Sequence, residues 1–222
     1  RPAVDDLSLE VASGEIFAFI GHNGAGKTTT IKAVVGALAY DGGEITIDGH
    51  DLAQEPLACK SILAYIPDNP DLYYHLTGWQ YLRFVADIYR VDAETRRRRI
   101  EQYAKELEIY DRLAELIGGY SHGMKQKLAF VAAFLHEPKL LVLDEPFVGL
   151  APKAAFTVKQ MMHELCGRGG AIFFSTHVLE VAEKLCDRVA IIKEGRLLCA
   201  GGMHEILHDR SLEDVFLELV DE

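Results

Sequence analysis

An α/β fold built on a mainly parallel sheet is predicted by three features of this 222-residue sequence. Short apolar runs recur at Glu15–Ile20, Lys139–Leu143, Ala171–Ser175 and Arg188–Lys193, the signature of strands buried on both faces. The stretches between them carry apolar residues at helical spacing. The first run empties into a glycine-spaced loop, Gly21-His22-Asn23-Gly24-Ala25-Gly26-Lys27-Thr28-Thr29, followed by helix-compatible sequence from Thr28 to Leu38. Strand, loop and helix in that order form a phosphate-binding loop, or P-loop.

The elements follow in order. Glycines let the loop backbone close around an anion, and the helix behind it presents its positive dipole end to the same place. Lys27 reaches the β- and γ-phosphates, facing solvent when the loop is empty, and the Thr28 hydroxyl ligates Mg²⁺. Glu44-Ile45-Thr46-Ile47-Asp48-Gly49 alternates apolar and polar residues before a glycine turn and reads as a strand. Ser61 to Ile66 reads as another, stopped by Pro67 and Pro70. From Thr77 to about Glu137 the pattern is helical, with Trp79, Leu82, Val85, Ile88 and Tyr89, then Ile100, Tyr103 and Leu107. These residues predict a helical insertion of roughly sixty residues within the α/β chain. In it, Phe130, Val131, Phe134 and Leu135 read as core. Arg96 to Arg99 read as a solvated helix surface paired with acids, with contact to lipid headgroups as the alternative.

Leu140-Leu141-Val142-Leu143 runs into Asp144-Glu145 at the carboxyl end of a buried strand, where ligands bind in open α/β sheets. Asp144 is placed to hold Mg²⁺, directly or through water, and Glu145 to orient or deprotonate an attacking water. Composition bounds the remaining classes. At 49% hydrophobic and 26% charged residues the chain is long enough for one large core or two small lobes, and no apolar run reaches the roughly 20 residues of a membrane helix. Arg1-Pro2 does not begin a signal peptide. A net charge of -11 argues against a nucleic-acid partner. Cys59, Cys166, Cys186 and Cys199 form no CxxC pair and read as buried reduced thiols.

Tyr120-Ser121-His122-Gly123-Met124-Lys125-Gln126 resembles the signature sequence of ATP-binding cassette (ABC) ATPases, a Ser-x-Gly-x-x-Gln core opening a helix, here Met124 to Leu135. Ser175-Thr176-His177 resembles that family's switch histidine, and Gly149-Leu150-Ala151-Pro152 its D-loop. The match spans essentially the whole chain. Its motifs are closest to the ATPase subunits of Ecs-like and other ABC-2-type bacterial transporters. The resemblance implies a P-loop NTPase with a RecA-like core, an antiparallel β region and an inserted helical subdomain at about 77–137 within a single domain, 1–222. It also implies a head-to-tail dimer closing over two ATP molecules. Ser121 to Gln126 would contact the γ-phosphate held by the partner subunit's P-loop, with Glu145 as base and His177 as γ-phosphate sensor. The further partner is a separate transmembrane permease, with the chain at the cytoplasmic face of the membrane. A soluble ABC ATPase not coupled to transport, and a nucleotide-gated module with little turnover, share these motifs.

Three positions depart from the family pattern. Tyr65-Ile66-Pro67-Asp68 puts a carboxylate where the family usually has glutamine; Asp68 is a third candidate at the metal or, alternatively, a turn residue between prolines. Ala151 replaces the usual D-loop aspartate and cannot make its polar contact across a dimer. The aromatic residue that stacks on adenine in the family falls before Arg1.

Overall fold

A computed structural model describes residues 2–221, so Arg1, at which the signal-peptide reading begins, lies outside the described residues. A six-stranded sheet carries the fold. In chain order its strands are β1 (Ile16–Ile20), β4 (Leu63–Ile66), β5 (Leu140–Asp144), β6 (Ala171–Thr176), β7 (Arg188–Lys193) and β8 (Arg196–Gly202). In space the order is β4-β5-β6-β1-β7-β8, all parallel except the antiparallel β7–β8 pair. The small pair β2 (Thr46–Ile47) and β3 (His50–Asp51) forms a separate antiparallel hairpin. Helices α1 (Lys27–Val34), α2 (Pro56–Ile62), α6 (Pro152–Gly167) and α7 (Leu179–Leu185) connect strands. Between β4 and β5 stand α3 (Gly78–Ile88), α4 (Ala93–Glu106) and α5 (His122–Phe134), and α8 (Met203–Leu207) and α9 (Leu212–Asp221) close the chain.

The central strand explains why the sheet is covered on both sides. All five residues of β1 are buried, and their side chains alternate between faces. Ile16, Ala18 and Ile20 join the larger cluster, with Phe130 and Val131 of α5, Met162 of α6 and Phe216 of α9. Phe17 and Phe19 join the other, with Ile31 of α1, Cys59 of α2 and Phe173 of β6. Phe17 and Phe19 lie 5.9 and 5.5 Å from Phe173 in tilted ring contacts. Apolar side chains on both faces of such strands are what the covering helices bury.

Several boundaries differ from expectation for identifiable reasons. The first helix ends at Val34 rather than Leu38 because Gly36 takes a left-handed φ of 67° and the N–H groups of Ala37 and Leu38 turn back to the Lys32 carbonyl. Ser61 and Ile62 belong to α2, not to a strand: Pro56 sits at the helix start, and only from Leu63 does the chain pair with β5. The strand expected over Glu44–Gly49 is ordered as ladder only at Thr46–Ile47, its turn made by Asp48 and Gly49 at positive φ. Trp79 is half-buried, its ring edge-on to Tyr110. Of the Arg96–Arg99 run, Arg96 pairs with Asp87 at 2.5 Å, while Arg99 pairs with Glu137 and donates to the Leu135 carbonyl. Three cysteines are buried and free, and Cys199 is half-buried.

The helical segment meets the sheet at a joint that titrates. His136, just after α5, stacks on Tyr89 at the end of α3, with centroids 3.6 Å apart and planes 10° from parallel. The Leu63 carbonyl at the start of β4 accepts from both His136 Nε2 (3.3 Å) and the Tyr89 hydroxyl (3.2 Å), which leaves the buried His136 Nδ1 without a partner among the described residues. Burial pushes the imidazole pKa down to about 4. The folded chain therefore keeps His136 neutral where the unfolded chain, near pH 6.5, takes up a proton. Stability from this group is intact above about pH 6.5 and is lost as pH falls toward about 4. Urea unfolding at about pH 7.5 and about pH 5 is expected to give a smaller drop for His136→Phe than for the unaltered chain; equal drops would remove His136 as the cause.

Candidate functional site

The loop after β1 forms because its backbone needs conformations a side chain would forbid. Gly26 has φ 111°, and a Cβ there would lie 2.8 Å from the Ala3 carbonyl oxygen. The Ala25 N–H donates to the His22 carbonyl, and the Ala25 carbonyl accepts from Gly195 N–H in the β7–β8 turn at 2.8 Å, so that hairpin braces the loop. Gly26 caps α1 without any side-chain hydrogen bond, so no side chain occupies the free N–H groups of the first helical turn. That is the cradle an anion fills.

Lys27 is not in solvent, contrary to expectation. It is buried, and its Nζ donates to the carbonyls of Gly21 (2.7 Å) and His22 (3.2 Å). The ammonium has folded onto its own loop because the nearest oxygens are backbone carbonyls. Burial pushes its pKa below the ordinary value, while Glu145 and Asp144 oppose that shift. A buried cation whose polar contacts are two neutral carbonyls is matched to an incoming polyanion.

Thr28 opens α1 and its Oγ1 donates to Asp144 Oδ2 at 2.8 Å. Asp144 is buried at the end of β5, and its other oxygen accepts from Ser175 Oγ on β6. The register explains the meeting: Asp144 pairs with Ser175 across β5–β6, and Ile20 with Thr176 across β1–β6, so the strand ends are level. A hydroxyl and a carboxylate converging beside a phosphate cradle are the hard oxygen donors that suit Mg²⁺, so these residues fit that ion. Sequence reasoning did not assign Ser175 a role at Asp144; the signal was its position at the end of the neighbouring apolar run.

Glu145 follows directly and leaves the sheet in a left-handed turn, φ 49°, which non-glycine residues seldom adopt. Its N–H donates to the Ser175 carbonyl (3.1 Å), and its Oε2 accepts from Thr176 Oγ1 (3.2 Å). His177 Nδ1 lies 2.8 Å from Oε1, and since a carboxylate only accepts, Nδ1 carries the hydrogen. Thus the expected base and the expected histidine sit in direct contact.

Asp68 accepts from Asn69 N–H at 2.8 Å, as a turn residue does. Nearby Tyr65 has a buried hydroxyl with no hydrogen-bond partner among the described residues. Burial, then the charges of Asp144 and Asp68, push its pKa up to about 12. Asp68 therefore stands within electrostatic reach of the site, without a hydrogen bond to Thr28 or Asp144 among the described residues.

Ser121 caps α5 by accepting from Met124 N–H at 3.3 Å. His122 packs so closely on Gly149 that a Cβ there would meet its ring at 2.4 Å, and Gly123 lies against the Gly149 carbonyl. Gln126 Nε2 donates to the Pro146 carbonyl (3.3 Å), and Lys125 Nζ sits 4.4 Å above the Tyr74 ring. No hydrogen bond or ring contact among the described residues joins Ser121–Gln126 to the phosphate loop of the same chain. Ala151 begins α6 with no side-chain cap, in keeping with an alanine where an aspartate would bond.

Residues 4–148 match the ABC transporter family. The chain belongs to that family. It is 35% identical over 227 residues to the ABC-type transporter ATP-binding protein EcsA of Bacillus subtilis, covering 100% of this chain and 92% of EcsA. Two further curated relatives are longer, and the chain spans 60% of each. Among solved structures, an ATP-binding subunit of an ABC transporter superposes with a TM-score of 0.94 at 38% identity, covering 98% of this chain and 92% of that one. CbiO1 of Clostridium perfringens, described as part of the ABC transporter complex cbiONQ, superposes with a TM-score of 0.78 at 25% identity, over 93% and 84% of the two chains. The α/β fold is thus the P-loop NTPase fold of ABC ATP-binding subunits, in a family that binds and hydrolyses ATP. No helix among the described residues is long and apolar enough to cross a membrane.

Because the Lys27 ammonium contacts only loop carbonyls, Lys27→Ala is expected to leave the fold intact, at a cost below about 2 kcal/mol, while Mg-ATP binding is lost. Thermal melting without nucleotide and calorimetric titration with Mg-ATP measure the two effects; retained affinity would contradict the role.

Proposed function

We propose that this chain is the ATP-hydrolysing subunit of a bacterial ABC transporter, acting at the cytoplasmic face of the membrane on a separate permease. The observation that carries this reading is Glu145, a carboxylate held by Thr176 and His177 one residue beyond the Asp144 that bonds Thr28. Glu145 orients the attacking water and accepts its proton, and His177, already in contact with it, keeps the carboxylate aimed and faces the γ-phosphate. When bound, Mg²⁺ supplies positive charge at the phosphate oxygens; Thr28 and Asp144 would hold it, with Asp68 the third candidate. Gly21 to Thr29 bind the phosphates, with Lys27 shifting from loop carbonyls to phosphate oxygens.

The second half of the site is read as coming from a partner subunit in a head-to-tail dimer. Support lies in the Ser121–Gln126 segment: Ser121 caps a helix start and its contacts run to Gly149 and Pro146 rather than to its own phosphate loop. A helix N-terminus supplies donors where charge develops on a transferring phosphoryl group. Residues 1–222 are read as one ATPase domain, with about 77–137 as its helical subdomain. The permease is read as meeting the face carrying Tyr73, Tyr74 and Phe84, which are 49%, 48% and 43% exposed. Tyr73 lies edge-on to Tyr81 and Phe84, and Lys125 covers Tyr74, so this face touches the signature helix directly.

Glu145→Gln keeps the shape and loses the base. Turnover is expected to fall about 10²- to 10⁴-fold while Mg-ATP affinity is retained and an ATP-dependent dimer accumulates. Phosphate release and size-exclusion mass in Mg-ATP report both; unchanged turnover removes Glu145 from the base role.

A further inference from the structure

The C-terminal helix α9 carries a contact with the phosphate loop that the reading above does not use. Phe216 is 5% exposed, and its ring meets the His22 ring edge-on, with centroids 4.9 Å apart and an interplanar angle of 67°. His22 is more than a spacer between glycines. Its carbonyl accepts from the Ala25 N–H at 3.1 Å and from Lys27 Nζ at 3.2 Å, so it joins the loop's own turn to the loop's cation.

Helix α9 is itself well anchored. The Leu212 N–H at its start donates to Glu183 Oε2 of α7 at 2.7 Å, and α7 begins two residues after His177. Near its end the Val220 carbonyl accepts from Lys193 Nζ of β7 at 2.5 Å. Leu212 and Val215 are buried in the larger core cluster. One helix thus spans from the segment that follows His177 to the loop that holds Lys27, which it meets through the Phe216–His22 ring contact.

We propose that α9 is a positioning element of the nucleotide site, with Phe216 holding the His22 ring and thereby the phosphate loop in the shape that ATP meets. A loop that must aim several N–H groups at one anion binds more tightly when it is ordered before the ligand arrives. An edge-to-face aromatic pair is strong enough to matter here, and its loss corresponds to roughly a threefold to tenfold change in affinity. The inference rests on the reading of Gly21 to Thr29 as the ATP loop. Phe216 is a positioning residue, acting through His22.

The test is calorimetric titration of Mg-ATP into the full chain and its variants, with thermal melting of each. Phe216→Ala is expected to raise the Kd about threefold to tenfold and to raise KM alike, while kcat at saturating ATP stays within about twofold. Phe216→Tyr, which keeps the ring, is expected to restore the affinity. Val215→Ala, a buried change on the same helix, is expected to lower the melting temperature with the Kd unmoved. In a His22→Ala background, Phe216→Ala is expected to add nothing further, since the two changes remove one contact. If Phe216→Ala does not fold, Phe216→Leu is read in its place, with the same expected direction. Unaltered Kd in Phe216→Ala, or in Phe216→Leu where it is read in its place, or an equal Kd shift in Val215→Ala, overturns the proposal while leaving the ATP site standing. Failure of the unaltered chain to bind Mg-ATP overturns the functional reading and this inference with it.

Discussion

The buried carboxylate of Asp144 is the constraint around which the site is organised. It sits at the end of a strand, out of water, and a charge in that position is tolerated only with hydrogen-bond donors on it. Two hydroxyls provide them, Ser175 from the adjacent strand and Thr28 from the phosphate-loop helix. Both depend on geometry set far from the site. Ser175 is level with Asp144 only in the observed β5–β6 register, since a slip of one residue would turn it to the opposite face. Thr28 reaches it only because α1 begins at Lys27, which requires the left-handed Gly26 immediately before. The apolar core that fixes β1, β5 and β6 together is therefore also what brings a phosphate cradle to a buried carboxylate.

What the sequence made legible follows from how locally each feature is encoded. Strands buried on both faces are written as unbroken apolar runs, so β1, β5, β6 and β7 were visible, and so was the helical stretch carrying Leu82, Ile100 and Leu107. Features decided by distant parts of the chain were not. Ser61 and Ile62 have strand-like composition, yet Pro56 starts a helix that carries through both. Lys27 belongs to a motif that implies an outward reach, but its ammonium bonds the Gly21 and His22 carbonyls of its own loop. The pairing of Glu145 with His177 joins residues 32 apart in sequence, and the turn that allows it needs a positive φ that no glycine announces. Strand β8 and helices α8 and α9 are weakly encoded: Arg196–Gly202 is a partly exposed edge strand ending in two glycines, and α9 carries its apolar residues among acids.

Glu145 illustrates how the same framework stores strain where chemistry is needed. A left-handed glutamate is unfavourable in isolation, and here it is retained by a bond from its N–H to the neighbouring strand and by three contacts to its carboxylate. The turn carries the chain out of the sheet into Pro146–Gly149, and that stretch is where the start of α5 packs through His122, Gly123 and Gln126. A displacement at Ser121–Gln126 consequently bears on the residues that follow Glu145 without crossing the core. On the dimeric reading, this gives a partner-bound phosphate a short mechanical path to the base of the other site.

The acidic substitution at residue 68 fits the same electrostatic logic. Asp68 and Asp144 both act on the Tyr65 hydroxyl, and Glu145 and Asp144 both act on the buried Lys27 ammonium. With glutamine at 68 the local charge from these groups would be one unit less negative. By the same Coulomb term acting with opposite sign, the aspartate makes this site more repulsive to a naked polyanion and more attractive to a divalent cation than glutamine would. On the proposed reading a magnesium–ATP complex suits the site better than the free anion, because the cation is what would reconcile the phosphates with Asp68, Asp144 and Glu145.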